Sequence, residues 1–306
     1  MAMKISHETF GELKTYLAEK KEMVETALHR YFPEPEGLIS DLTEAMRYSL
    51  FAGGKRLRPI LCVAGAEAVG CPGEDVLPVA CAMELIHTYS LIHDDLPLMD
   101  DDDFRRGKPT NHKVFGEAIA LLAGDGLLTE AFSLMTSSHI SPRIPHKALL
   151  RAIHLISRAA GHEGMVGGQT VDIQWEGRGA NPEVVHFMHT HKTGALITAS
   201  VASGAVMGGA GESQIQTLVS YGEKIGLAFQ ISDDILDIEG DSETMGKQTG
   251  ADQGKGKTTY PAVLGLEESR KIQSDLVQTA IQDLQGFDRR AEPLRWIARY
   301  IIERKK

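Results

Sequence analysis

Two aspartate clusters hold most of the chemistry open to this sequence. The first is Asp94-Asp95-Leu96-Pro97-Leu98-Met99-Asp100, running on through Asp101, Asp102 and Asp103; the second is Asp233-Asp234-Ile235-Leu236-Asp237. Carboxylates packed this densely repel one another unless cations neutralise them. Oxygen ligands suit hard ions, and magnesium usually keeps several waters while binding one or two carboxylates together with substrate phosphates. Cationic stretches accompany both clusters. Gly53-Gly54-Lys55-Arg56-Leu57-Arg58-Pro59 precedes the first, just before an expected helix N-terminus that itself attracts anions. Arg105-Arg106 follows it, and Lys192-Thr193-Gly194 and Gly246-Lys247-Gln248-Thr249-Gly250 flank the second. Arginine offers phosphate a bidentate fork and lysine a point charge. These residue types point to a diphosphate held between two acidic walls by magnesium.

Spacing decides how each cluster presents its acids. Asp233 and Asp237 are about 40° apart around a helix and share one face, while Asp234 points roughly 100° away and reads as a support. Phe229, Ile231, Ile235, Leu236 and Ile238 surround them, so the segment is expected to be largely buried. Unpaired carboxylates are costly there, which makes a solvated acidic face the poorer account. In the first cluster Asp94 and Asp100 lie about 120° apart on an ideal helix. Pro97 lacks an N–H and clashes one turn back, so it must disturb the helix. A bulge would unite Asp94 with Asp100, whereas Asp94 and Asp101 align without one. The sequence leaves both pairings open.

Three other patterns fail. The acidic run lacks the glycine and terminal glutamate of an EF-hand calcium loop. Gly256-Lys257-Thr258 invites a P-loop reading, but Ala251 stands where that motif needs glycine and no strand precedes it. His186, His189 and His191 suggest zinc, yet only the first two share a helical face and no cysteine accompanies them. Ordinary surface or interface histidines are the expectation.

The elements that must position these residues are helices. Leu38, Leu42, Ala45, Met46 and Leu50 recur at three- and four-residue steps, and Gly53-Gly54 follows as a stop. A new helix is expected near Pro59, which the first turn tolerates. Residues 76–93 are apolar on nearly every side, which predicts a central, fully buried helix. Further helices are predicted over residues 4–31, 111–138, 147–161, 182–207, 213–238, 261–284 and 292–303. Residues 198–210 are rich in Gly, Ala and Ser, permitting close helix packing. Strand-like alternation is scarce and aromatics are only 6%, so the fold class is all-α.

Composition narrows the setting. A length of 306 residues would suggest two domains at roughly 100–200 residues each. No linker divides the chain, so a single domain over residues 1–306 is expected, and 42% hydrophobic residues can furnish a sizeable core. The net charge of -10 argues against nucleic acid as a partner, though local basic clusters still permit an anionic substrate. Cys62, Cys71 and Cys81 form no CxxC pair and read as core thiols in a reducing compartment. Residues 1–17 carry charge and lack a signal-peptide apolar region. No run of 18 or more apolar residues appears, so no membrane insertion and a cytoplasmic location are expected.

Taken together, the motifs resemble the trans-isoprenyl diphosphate synthase family, in particular its bacterial-type farnesyl diphosphate synthases. The similarity spans nearly the whole chain: GGKRLRP at 53–59, ELIHTYSLIHDDLPLMDDDDFRRGKPTNH at 84–112, LAGDGLLTEAF at 122–132, GMVGGQTVD at 164–172, HKTGAL at 191–196, FQISDDILD at 229–237 and GKTTYP at 256–261. The resemblance implies a bundle of mostly antiparallel helices around a deep central cavity, usually a homodimer, with the aspartate motifs facing across its mouth. On matching positions, Asp94, Asp100 and Asp233 would coordinate three magnesium ions, supported by Asp95 and Asp237. Arg105, Lys192 and Lys247 would hold the allylic diphosphate, dimethylallyl or geranyl. Lys55, Arg58, His87 and Arg106 would hold isopentenyl diphosphate without metal. Thr193 and Gln230 would sit near the reacting carbons.

Product length would depend on the cavity floor. Tyr89, with Ser90 beside it, stands five residues before the first aspartate, about one and a half turns down the wall. The resemblance associates an aromatic there with a fifteen-carbon product; the alternative is that Tyr89 is plain core packing. The nearest rivals are a geranylgeranyl or geranyl diphosphate synthase. A class I terpene cyclase would not need GGKRLRP. A regulatory subunit typically loses an aspartate motif, and this chain keeps both.

Overall fold

The helical pattern predicted for the sequence is realised almost throughout the computed structural model, which describes residues 7–179, 181–239 and 258–303. The chain runs through α1 (His7–Tyr31), α2 (Ser40–Leu50), α3 (Leu57–Ala68) and α4 (Leu77–Asp94). It continues with α5 (Asn111–Phe115), α6 (Glu117–Met135), α7 (His146–Ala160), α8 (Met165–Trp175) and α9 (Pro182–Met188). A π turn, His189–Gly194, leads into α10 (Ala195–Met207) and α11 (Glu212–Glu239). Helices Tyr260–Leu264, Leu266–Asp283 and Glu292–Glu303 follow. Among the described residues the only strands are a hairpin, β1 (Phe104–Arg105) paired antiparallel with β2 (Lys108–Pro109).

Helix α4 is the axis. Every residue from 77 to 86 is buried, as expected for a segment apolar on all sides. It packs against α3 and α6, and α3 in turn lies along α10. Small residues set that last contact. A methyl added to Gly204 would stand 1.9 Å from the Cys62 carbonyl oxygen, and one on Gly65 would stand 2.3 Å from that of Val201. The two backbones therefore touch, and larger side chains would force the helices apart. The Gly-, Ala- and Ser-rich stretch predicted to pack closely does so.

Three boundaries depart from the sequence reading. The expected helix 111–138 breaks at Gly116 (φ 84), and the one at 261–284 breaks at Gly265 (φ 82). Both glycines hold a positive φ that other residues adopt only at a cost, so the chain turns and a new helix starts. Helix α8 was not predicted at all. Its Gly167 and Gly168 depress helix propensity, yet close packing requires them.

Among the described residues two helical stretches, Gly73–Asp94 and Glu117–Met135, are long and apolar enough by length and composition to cross a membrane, though neither is an unbroken apolar run. The first has 78% of its most apolar stretch buried inside the protein and serves as core.

Candidate active site

The end of α4 settles the pairing in the first acidic cluster. The helix stops at Asp94, and the chain bulges around exposed Pro97 before returning. Asp100 N–H donates to the Asp94 carbonyl at 2.8 Å, and Asp101 N–H to that of Leu96 at 3.2 Å. Asp101 itself sits in the left-handed region (φ 50) and is exposed. The bulge thus pairs Asp94 with Asp100. Burial pushes the Asp94 carboxyl up to about 6; Lys192 opposes the shift and Asp100 adds to it. Asp95 turns elsewhere, and Arg105 Nε donates to both its oxygens at 2.7 and 2.8 Å. Burial works against the charge on Arg105, but these contacts outweigh it and hold the guanidinium above its ordinary value.

The hairpin after this cluster places Arg106. Arg106 (φ 54) and Gly107 (φ 75) form its tight turn, with both residues left-handed as two-residue hairpin loops require. The Arg106 guanidinium lies across Gly54 and donates to the Gly53 carbonyl. Hairpin and cation loop are thereby joined. Of the three cations in that loop, Lys55 is exposed and Arg58 lines a cavity, while Arg56 is buried in the core. The even basic cluster read from sequence is therefore split.

The π turn positions Lys192 and Thr193. A Cβ on Gly168 would lie 2.3 Å from the Lys192 backbone nitrogen, so α8 presses directly on this turn. Lys192 Nζ donates to Asp172 Oδ2 on the same helix at 2.6 Å. His189 corrects the expectation of a surface histidine: it is 8% exposed, and its Nε2 lies 2.8 Å from Asp234 Oδ2. Asp234 also accepts the Tyr260 N–H at 2.9 Å. Asp234 therefore braces three elements, the supporting part its angle on α11 suggested. Gln230, Asp233 and Asp237 follow one another on a single face of α11, at steps of three and four. Lys247 and the loop around it lie outside the described residues.

A cavity of about 320 Å³ is lined by Arg58, His87, Tyr89, Ser90, Asp94, Lys192 and Thr193. Met99, Met165, Val166 and Ile173 complete its apolar part. Burial pushes Arg58 down to about 10; Glu84 and Asp233 favour its charge, and Arg106 opposes it. The second acidic cluster is thus within electrostatic reach of the cation loop. Burial, then the charges of Arg58, Arg106 and Arg105, hold the His87 imidazole well below its ordinary value, so it is neutral at pH 7. Arg58 Nε, His87 Nδ1 and both amide atoms of Gln169 are buried with no hydrogen-bond partner. Buried polar groups are rarely left so, and a polar ligand in the cavity would satisfy them.

Sequence reasoning gave no role to Gln169 or Asp172, although both lie in the quoted GMVGGQTVD motif. The available signal was their i, i+3 spacing beside a glycine pair. Asp95, Arg105 and Arg106 line a smaller neighbouring pocket of about 30 Å³, and Asp100 another of about 110 Å³ with Asp172. Among the described residues no three His, Cys, Asp or Glu side chains converge as a closed metal cage. The donor set still fits a hard cation, because Asp94 and Asp100 are half-buried carboxylates joined through their backbones and close enough to repel each other. Magnesium completes such a shell with water and substrate oxygens.

A family model described as polyprenyl synthetase matches residues 39–294. Over 292 residues the chain is 49% identical to a farnesyl diphosphate synthase of Geobacillus stearothermophilus, covering 95% of this chain and 98% of the relative. Over 298 residues it is 46% identical to a geranylgeranyl diphosphate synthase of Cyanophora paradoxa, covering 97% and 98%. A crystal structure of a FPP/GFPP synthase from Zymomonas mobilis superposes with a TM-score of 0.84 at 38% identity, over 95% of this chain and 99% of that one.

Proposed function

The chain belongs to the polyprenyl synthetase family, and on that premise we propose that it joins isopentenyl diphosphate to dimethylallyl and then geranyl diphosphate, stopping at fifteen carbons. It is a prenyltransferase with the all-α isoprenoid synthase fold. The observation that carries the finer reading is the cavity, whose lining combines Arg58, Lys192 and Asp94 with Tyr89 and apolar side chains. Charged groups suit diphosphates, and the apolar part suits a growing hydrocarbon.

In this reading Asp94, Asp100 and Asp233, supported by Asp95 and Asp237, hold up to three magnesium ions against the allylic diphosphate. Bound magnesium supplies positive charge that stabilises the leaving diphosphate as negative charge grows on it. Arg105, Lys192 and Lys247 bind the same group. Lys55, Arg58, neutral His87 and Arg106 hold isopentenyl diphosphate, His87 as a hydrogen-bonding partner rather than a charge. The allylic C–O bond breaks with its electron pair leaving on the diphosphate. Thr193 and Gln230 offer oxygens to the remaining carbocation. The isopentenyl double bond then attacks it, provided both substrates are held within reach. Loss of a proton to a released diphosphate oxygen removes the positive charge left on the hydrocarbon chain and forms its new double bond, so no side-chain base is needed.

Tyr89 limits the product to farnesyl diphosphate. The competing product is geranylgeranyl diphosphate, favoured by the similar identity to synthases of that name. Incubation with dimethylallyl and isopentenyl diphosphates, followed by product sizing over time, separates the two. Fifteen-carbon product should accumulate under excess isopentenyl diphosphate; steady passage to twenty carbons would refute this reading.

We place the enzyme in the cytoplasm, as one catalytic unit without nucleic-acid partners or membrane insertion. Helix α6 leaves Leu121 and Leu122 45% and 49% exposed, and we assign this face to a second copy of the chain. Light scattering should give twice the chain mass, and Leu122→Asp should halve it; a wild-type mass of one chain would contradict the dimer.

A further inference from the structure

Arg56 is the buried member of the cation loop and is not among the residues lining the cavity. It follows Lys55 and starts the turn into α3 in a left-handed conformation (φ 52), which is unfavourable for any residue but glycine. The residue is only 2% exposed, and every guanidinium nitrogen is engaged. Nε donates to Glu25 Oε1 at 2.8 Å, and Nη2 to Glu25 Oε2 at 3.3 Å. Nη1 donates to Glu84 Oε1 at 2.6 Å, and Nη2 also to the Leu50 carbonyl at 2.7 Å.

The contacts to Leu50 and Glu84 fix elements that present diphosphate-binding groups in the proposed function. Leu50 ends α2, so its bond to Arg56 closes the turn containing Lys55 and Gly53, on whose carbonyl Arg106 is held. Glu84 is 1% exposed and stands one turn before His87 on α4, so the same fork registers the loop against His87. Arg58 follows two residues later and lines the cavity along with His87. Glu25 adds α1 as a third anchor. The charge of Glu84 also favours the charged forms of Arg58 and Arg106, which burial opposes. Apolar side chains could fill this volume with no loss of stability, since buried ion pairs seldom add to it. What they could not supply is directional register.

We propose that Arg56 is a positioning residue for the isopentenyl diphosphate half of the site. Its fork to Glu84 and Glu25 sets the placement of Lys55, Arg58, His87 and Arg106, while the allylic half does not depend on it. The inference rests on the assignment of those four residues to isopentenyl diphosphate.

Arg56→Met alone would strand the buried Glu84 carboxylate, so the double variant Arg56→Met/Glu84→Gln removes both charges together. Steady-state kinetics with each substrate varied, alongside the thermal midpoint, give the readout. The KM for isopentenyl diphosphate should rise roughly ten- to a hundred-fold, the scale of loss from a small displacement of bound groups. The KM for dimethylallyl diphosphate should stay within about twofold. Arg56→Lys keeps the charge but loses the fork and should show the same split in a folded protein. Folded variants with both KM values unchanged, or with both raised alike, would overturn the proposal. Arg58→Met is the control. If it leaves the isopentenyl KM unchanged, the assignment of the half-site fails; if it raises that KM while the Arg56 variants do not, only the positioning role fails.

Discussion

Asp94→Asn should lower the rate of condensation by about a thousandfold, equivalent to ~4 kcal/mol of transition-state stabilisation, in a protein that still folds. Asparagine keeps the size and shape of the side chain and removes only the negative charge. That charge is expensive in the free protein: burial pushes the carboxyl up to about 6, with the Asp100 carboxylate contributing. At pH 8 the ionised group is held against this cost, so the metal-free variant should melt at the same temperature or higher. In the proposed function Asp94 would be kept for its chemistry, at a cost to stability. A variant that kept a tenth of the activity would place the cation-binding role elsewhere. One that lost activity only by unfolding would leave the role undecided by kinetics, and the melting curve excludes that case. Asp101→Asn is the contrasting substitution. Its backbone turns out into solvent at φ 50, so it should cost little.

Tyr89→Ala should move the main product from fifteen carbons to twenty or more. The ring lines the cavity five residues before Asp94, is 7% exposed, and lies edge-on to His93 with centroids 5.7 Å apart. His93 is in turn backed by α6, where a Cβ on Gly124 would meet its Nε2 at 2.1 Å. The wall behind Tyr89 is thus packed, and under the proposed function a growing chain would be stopped by the ring. Truncating a buried aromatic costs about 3–5 kcal/mol, so the variant should melt earlier. Burial, aided by Asp94, pushes the phenol up to about 12, so it remains protonated and is no base. Tyr89→Phe should accordingly keep the fifteen-carbon product. If Tyr89→Ala still made that product alone, the floor would have to lie elsewhere.

The parts of this site that periodicity governs could be read from sequence. The shared face of Asp233 and Asp237 needed only the helical repeat, and the buried α4 needed only its continuous apolar character, whereas Gln230 was named only through the family resemblance. The pairing of Asp94 with Asp100 could not be read, because it depends on how the chain recovers after Pro97, and the Asp100 N–H to Asp94 carbonyl bond decides it. Helix α8 was missed for the reason that makes it useful. Its glycines weaken the local helical signal and let the backbone touch Lys192, a tertiary gain invisible to local propensity. Arg56 and His189 were misjudged on similar grounds. A charged or titratable side chain reads as surface or ligand until its buried partners, Glu84 and Asp234, come from distant parts of the chain.

The central claim is that one cavity joins two unlike diphosphate sites, one working through carboxylate-held magnesium and the other through cations alone. Calorimetric titration of each diphosphate separately, with and without magnesium, tests it most directly. Dimethylallyl diphosphate should bind only when magnesium is present, whereas isopentenyl diphosphate should bind with similar affinity in both conditions. Metal-independent binding of the allylic substrate, or a strict magnesium requirement for isopentenyl diphosphate, would contradict the account.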